Sequence, residues 1–262
     1  MSRSRKNSKS SKRNSSSRAE RRSAKPNREL KTDVTDQFYG DDGKVRVDFN
    51  PRPFEFSRTQ KELISTILDD SNSIFFVSGV AGSSKTFLAV YAALRLLEEG
   101  PYDDILYLRS VIESASKSLG ALPGELEDKF APYMGPLEDK LEELVSRDTI
   151  TLLKTKKIVT ATPINFIRGA SWKNKIVVAD EAQNMDASEL TTIISRVGEG
   201  TKLIICGDPN QSDIRCSGFQ PMFDLFNDAS SYQNGIAAFK FADDDIYRSE
   251  ILKFVVKKLK DL

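Results

Sequence analysis

Four short apolar runs without polar alternation punctuate the chain: Ser73–Ser78 (SIFFVS), Ile105–Leu108, Lys175–Ala179 (KIVVA) and Lys202–Cys206 (KLIIC). Runs of that length predict strands buried on both faces. Gly235–Phe241 predicts a last strand. Between them apolar positions recur every three or four residues. Ser57-Arg58-Thr59-Gln60 followed by Leu63, Ile64, Ile67 and Leu68 predicts a capped amphipathic helix. Thr86–Leu97 predicts another, Ala187–Val197 a third opened by Asp186 as N-cap, and Ile246–Leu259 a last one. Strands alternating with helices imply an α/β fold, a mostly parallel central sheet with helices on both faces. Ahead of it, residues 29–56 form a linker: Asp41-Asp42-Gly43 signals a turn, Val45–Phe49 alternates like a short edge strand, and Pro51 and Pro53 break the chain. The compact domain is expected over 57–262. No internal repeat is evident.

Composition changes this picture at the N-terminus. Over the 262 residues, 39 Lys/Arg nearly balance 38 Asp/Glu, for a net charge of +1. The near-zero total hides a split. Residues 1–28 hold eleven Lys/Arg, one acid (Glu20), nine Ser, and no Leu, Ile, Val or Phe, for a net of +10. The remainder is net −9. A segment so poor in apolar side chains cannot offset the entropy of ordering it, so 1–28 is expected to be a disordered basic tail. It has no apolar stretch of the secretory kind. Two readings stay open: an electrostatic arm for nucleic acid or an acidic surface, or a solubilising extension.

Several function classes drop out. No run approaches the roughly 18 apolar residues of a membrane span, so no membrane association is expected. The chain has no His, which excludes His-based Ser and Cys hydrolases and His-ligated zinc. Cys206 and Cys216 lack metal-ligand spacing and read as free thiols in a reducing, cytoplasmic setting.

The chemistry-bearing residues follow directly after the predicted strands, where ligands bind on such sheets. Gly79-Val80-Ala81-Gly82-Ser83-Ser84-Lys85-Thr86 nearly matches G-x-x-x-x-G-K-[ST]. Small residues there let backbone N–H groups wrap a polyphosphate at a helix N-terminus. Lys85 would reach the β/γ oxygens and the Thr86 hydroxyl would bind Mg²⁺. Ser84 stands where the pattern has Gly. Asp180-Glu181 ends the KIVVA strand, 95 residues after Lys85. The first carboxylate would hold Mg²⁺ and the second would polarise the attacking water; alternatively, Asp180 only caps the next helix. With no His present, Glu181 is the expected base. After KLIIC comes Gly207-Asp208-Pro209-Asn210-Gln211-Ser212-Asp213. Gln211 would sense the γ-phosphate or the water; alternatively, Asp-Pro-Asn is a plain turn.

The order Q…GxAGxxKT…DEAQN…GDPxQ resembles the helicase-like P-loop ATPases, and more specifically the PhoH-like family of bacteria and their phages. The resemblance covers about residues 54–262. It is carried by Leu108-Arg109-Ser110, Leu119–Tyr133 (LGALPGELEDKFAPY), Phe166-Ile167-Arg168-Gly169, Asp180–Asn184, Gly207–Asp213, Ser217-Gly218-Phe219 and Asp245-Ile246-Tyr247-Arg248. The L-G-x-L-P-G stretch is far more specific than the phosphate loop. The family has Arg-Pro where this chain has Arg109-Ser110, and Gly where it has Ser84. The resemblance implies a single RecA-like P-loop NTPase domain binding and hydrolysing ATP with Mg²⁺, with action on RNA or another single-stranded nucleic acid, in the cytoplasm (the host's, for a phage protein). It further implies that Gln60 recognises adenine.

Only 51 residues follow Gln211, fewer than the roughly 100 of a second α/β domain. The expectation is therefore a homo-oligomeric ring, hexameric by resemblance, in which a neighbouring copy supplies an arginine finger. Arg248 and Arg168 are the preferred fingers, with Arg109 and Arg196 behind them. Leu119–Pro136 is expected to be a loop over the nucleotide or a pore element, or else a packing helix-loop-helix. Trp172 and Tyr133 are candidates for stacking on bases. Two competing functions remain: an ATP-responsive regulator with little hydrolysis, or a nucleic-acid-binding protein working through its tail.

Overall fold

Six strands pair in parallel in the order β3-β2-β4-β5-β1-β6, where β1 is Ile74–Ser78, β2 Asp104–Arg109, β3 Val159–Pro163, β4 Lys175–Asp180, β5 Lys202–Gly207 and β6 Ile236–Lys240. This is a computed structural model; it describes residues 39, 44–49, 54–110, 126–167, 171–242, 245, 251 and 258. The last expected helix, 246–259, and the basic tail lie essentially outside the described residues. Every described strand pair is parallel, and a core lies on each face of the sheet, as expected of the α/β fold. The third-motif strand β5 lies between the phosphate-loop strand β1 and the carboxylate strand β4.

The central strands β1, β2, β4 and β5 feed two cores. Phe75, Val77, Ile105, Tyr107, Ile176, Val178, Ile204 and Cys206 face one way, toward α1 (Arg58–Leu68), α2 (Lys85–Glu99), α3 (Leu126–Leu144) and α4 (Arg147–Thr155). Their neighbours Phe76, Leu106, Leu108, Val177, Ala179, Leu203 and Ile205 face the other way, toward α5 (Ala187–Ile194) and α6 (Phe219–Phe226). A seventh short helix, α7, spans Ala229–Gln233. This alternation between two cores is why the strands carry no polar alternation. Each fully buried Val, Leu, Ile or Phe contributes about 1.5–3 kcal/mol, so the central strands are the most stable part of the domain. Ser57 and Gln60 form a capping box on α1, and Asp186 and Glu189 form another on α5.

Four expectations need revision. Val45–Phe49 is not a strand of the sheet; it makes two isolated antiparallel bridges, Tyr39 with Val45 and Phe49 with Val145. Val45 and Val47 are nonetheless buried, and Phe49, Phe54 and Phe56 pack with Tyr91 of α2. From Leu126 onward the insert is helix, as the helix-loop-helix alternative has it rather than the loop; residues 119–125 lie outside the described residues. Leu137, Leu141 and Leu144 fall on one buried face, and that burial outweighs the loss of the proline backbone donors. The edge strand β3 was not foreseen: V-T-A-T-P is short, and only its alternate residues are buried. Trp172 is 3% exposed within the second core, so it packs rather than stacks on bases; Tyr133 packs partly buried against the first core.

Candidate active site

The chain leaves β1, turns through Gly79–Ser83 and enters α2. Gly82 has φ 88° and Ser84 has φ 65° with ψ 20°, both left-handed. Gly occupies that region freely, whereas a residue with a Cβ is strained there by roughly 1–2 kcal/mol. This explains why the loop pattern asks for Gly at position 84. Ser84 is the N-cap of α2, yet its hydroxyl makes no cap bond, in contrast to Ser57, Ser146 and Asp186 on other helices. The first N–H groups of α2 therefore lack a side-chain cap and are available to an anion. Ser84→Gly is expected to stabilise the domain by about 0.5–1 kcal/mol. Differential scanning calorimetry would show this as a rise in Tm of roughly 1–4 °C; a fall would mean that the serine side chain makes a compensating contact.

Lys85 Nζ donates to the carbonyls of Gly79 (2.7 Å) and Val80 (3.0 Å). It is folded onto its own loop. Burial pushes its pKa down, opposed by the nearby charge of Asp208, Asp180 and Glu181. A polyphosphate would favour the charged ammonium and offer it oxygens better than two neutral carbonyls.

Asp180 ends β4 with its carboxylate turned into the site, 6% exposed. Its Oδ1 accepts from Thr86 Oγ1 (2.7 Å) and its Oδ2 from Tyr107 Oη (2.5 Å). Asp180 thus serves the phosphate loop, and the cap of the following helix is Asp186 instead. Tyr107, fully buried on β2, carries no signal in the sequence that would single it out. Burial, then the Asp180 charge and hydrogen bond, drives its phenol pKa far above the ordinary value, so it remains a proton donor. Tyr107→Phe is expected to cost about 1.5–3 kcal/mol, because it leaves a buried carboxylate oxygen without its donor. Urea denaturation measures this, and an unchanged midpoint would contradict it.

Glu181 follows with a left-handed backbone, φ 54°. Its Oε1 meets Arg109 Nη2 at 3.4 Å, and its Oε2 accepts from Gln183 Nε2 at 2.5 Å. Beyond β5, Asp208 Oδ1 accepts from the Asn210 N–H and its carbonyl from the Gln211 N–H. The Asp-Pro-Asn turn chemistry is therefore present, and it sets Gln211 at the edge of the site. Asn184 and Asp213 bond each other reciprocally.

Lys85, Thr86, Asp180, Glu181 and Gln211 come together on one cavity of about 820 Å³. Ala81, Gly82, Ser84, Phe87, Arg109, Gln183, Cys206, Gly207 and Asp208 complete its near side. Its far wall is Pro136, Asp139, Lys140 and Glu143 of α3. Gly79, Val80 and Ser83 shape the loop without lining this cavity. Cys206 is buried beneath it, its thiol pKa pushed up by burial and by Asp180, and it is inert as a nucleophile; Cys216 is free and exposed. Arg109 is paired within its own site. Arg196 lies near the start of β4, where its carbonyl accepts from the Trp172 N–H, away from the strand ends that form the cavity. Gln60 is not among the lining residues; its Oε1 accepts from the Ser57 N–H in the α1 cap. Arg168 and Arg248 lie outside the described residues.

The oxygen-only pair of Thr86 and Asp180 suits a hard cation such as Mg²⁺, which takes one or two protein oxygens and completes its shell with water and phosphate. No helix among the described residues is long and apolar enough to cross a membrane.

The model of the family described as PhoH-like protein matches residues 55–260. The chain is 30% identical over 198 residues to a PhoH-like protein of Bacillus subtilis, covering 76% of this chain and 61% of that one. It is 30% identical over 187 residues to Protein PhoH of Escherichia coli, covering 70% and 51% respectively. The chain thus spans between half and about three-fifths of the length of these two relatives. Among solved structures it is similar to the large terminase of a thermophilic bacteriophage in complex with ADP, with a TM-score of 0.45 and 14% identity over 78% of this chain and 50% of that one.

Proposed function

The chain belongs to the PhoH-like family, and on that footing we propose that it binds ATP with Mg²⁺ in this cavity and hydrolyses it, coupling hydrolysis to RNA or another single-stranded nucleic acid. The observation that carries the reading is the convergence of Lys85, Thr86, Asp180 and Glu181 on one cavity, with Thr86 bonded to Asp180 across 94 residues of sequence.

Each side chain has a task in this reading. The uncapped start of α2 and Lys85 take the phosphates, Lys85 exchanging two carbonyl partners for phosphate oxygens. Thr86 and Asp180 would hold Mg²⁺, which when bound supplies charge neutralisation on the phosphate oxygens. Tyr107 keeps the Asp180 carboxylate in place. Glu181 accepts the proton of the attacking water. Gln211, anchored through Asp208, faces the γ-phosphate position. Arg168 or Arg248 of a neighbouring copy completes the site in a ring-shaped homo-oligomer, and the +10 tail supplies an electrostatic arm for nucleic acid.

A second reading, an ATP-responsive regulator with little hydrolysis, draws on one observation: the strained serine at position 84. ATP turnover of the full chain, measured with and without single-stranded RNA and again after removal of residues 1–28, separates the two. The hydrolase reading expects turnover that rises with RNA and a weaker RNA response without the tail. Nucleotide binding without turnover supports the regulator, and turnover indifferent to every nucleic acid removes the coupling alone.

A further inference from the structure

Gln183 is 1% exposed and uses both ends of its amide. Its Nε2 donates to Glu181 Oε2 at 2.5 Å, while its Oε1 accepts from the Asp208 N–H at 3.0 Å. The orientation of the amide is settled by chemistry. A backbone N–H can only donate and a carboxylate only accepts, so the reverse arrangement would place donor against donor at one end and acceptor against acceptor at the other.

Asp208 is where β5 ends, and its carbonyl receives the Gln211 N–H at 3.0 Å. The Gln183 carbonyl also accepts from Ser212 Oγ at 3.0 Å. An unbroken series of hydrogen bonds thus runs from Glu181 through Gln183 and Asp208 to Gln211. It joins the end of β4 to the end of β5, and of the bonds between these two loops it is the one that reaches the Glu181 carboxylate; the Ser212–Gln183 and Asn184–Asp213 bonds tie the loops farther along.

Glu181 needs such a partner. Its left-handed backbone is strained, and its side chain is only half-buried, so without ties it would sample several rotamers. Arg109 holds one oxygen at 3.4 Å, a long and half-exposed contact. The short bond from Gln183 is the stronger restraint.

We infer that Gln183 is a positioning residue: it aims the Glu181 carboxylate and ties it to the loop of Gln211, so that the groups facing the water and the γ-phosphate shift as one unit. Only glutamine meets both demands. Asparagine is one methylene too short, glutamate cannot donate to Glu181, and an apolar residue does neither.

This inference rests on reading Glu181 as the base, and two measurements keep the two claims apart. In the nucleotide-free protein, the Asp208 amide resonance, followed by NMR, is expected to shift on Glu181→Gln and to stop responding in the Gln183→Met background. In turnover assays, Gln183→Met and Gln183→Glu are each expected to lower kcat roughly 10–100-fold, with the KM for ATP changed less than about twofold. The Tm of each variant, measured alongside, separates a loss of kcat from a loss of folding. On the Glu181→Gln background, Gln183→Met is expected to lower kcat little further, whereas a purely structural role would make the two losses additive. An Asp208 amide that ignores Glu181→Gln, or unchanged kcat in both Gln183 variants of an active enzyme, overturns the inference. An intact chain without turnover overturns the hydrolase reading, while the Asp208 amide still decides the link.

Discussion

Glu181→Gln is expected to lower ATP turnover roughly 10²–10⁴-fold while nucleotide binding persists. The substitution is nearly isosteric, so the cavity keeps its shape. It removes the carboxylate that the hydrolase reading assigns to the water proton; Asp180 already accepts from Thr86 and Tyr107. It also leaves a single acceptor where Glu181 offers two, so either the Arg109 contact or the Gln183 contact is lost. Losing one such bond costs about 1–3 kcal/mol at most, too little to unfold the sheet. Single-turnover kinetics separate the two effects. A lost chemical step with an intact ATP affinity supports the assignment, and full turnover in the variant would move the base elsewhere.

Lys85→Ala is expected to weaken ATP binding roughly 10–100-fold, the effect of removing one charge-assisted hydrogen bond of about 1.5–3 kcal/mol. Gly79 and Val80, whose carbonyls Lys85 holds, are buried, but Lys85 itself lines the cavity, so water entering the space its side chain vacates replaces the lost donor. The fold is therefore retained, and the Tm stays within about 3 °C. Titration calorimetry with an ATP analogue measures the affinity. An unchanged Kd would mean that the phosphates sit elsewhere, and the α3 wall with Lys140 would be the next place to look.

The sheet could be read from the chain wherever a strand is buried on both faces. SIFFVS, KIVVA and KLIIC have no other stable use for such uninterrupted apolar runs. β3, an edge strand, is not legible in this way because only its alternate positions are buried. α3 is hidden behind its prolines, because the spacing of Leu137, Leu141 and Leu144 has meaning only once there is a core for them to enter. The site was legible to the same degree: Lys85, Thr86, Asp180, Glu181 and Gln211 follow strands in simple succession, and the structure places all five on one cavity. Arg109 stands out in the sequence both as a residue after a strand and as a finger candidate for a neighbouring copy; the pairing of Arg109 with Asp180 in the β2–β4 register brings it within reach of Glu181 of its own site.

The sequence by itself determined which residue types would stand at the carboxyl ends of the strands, because strand period, loop motif and helix cap are all set within a dozen neighbouring residues. It also excluded a histidine base, because the chain has no histidine. Only the tertiary structure decided what holds those groups in place. Tyr107 meets Asp180 across 73 residues, and Gln183 meets Asp208 across 25. Neither pair leaves a local signature, because strand order and register, not spacing along the chain, determine which side chains face each other across a parallel sheet.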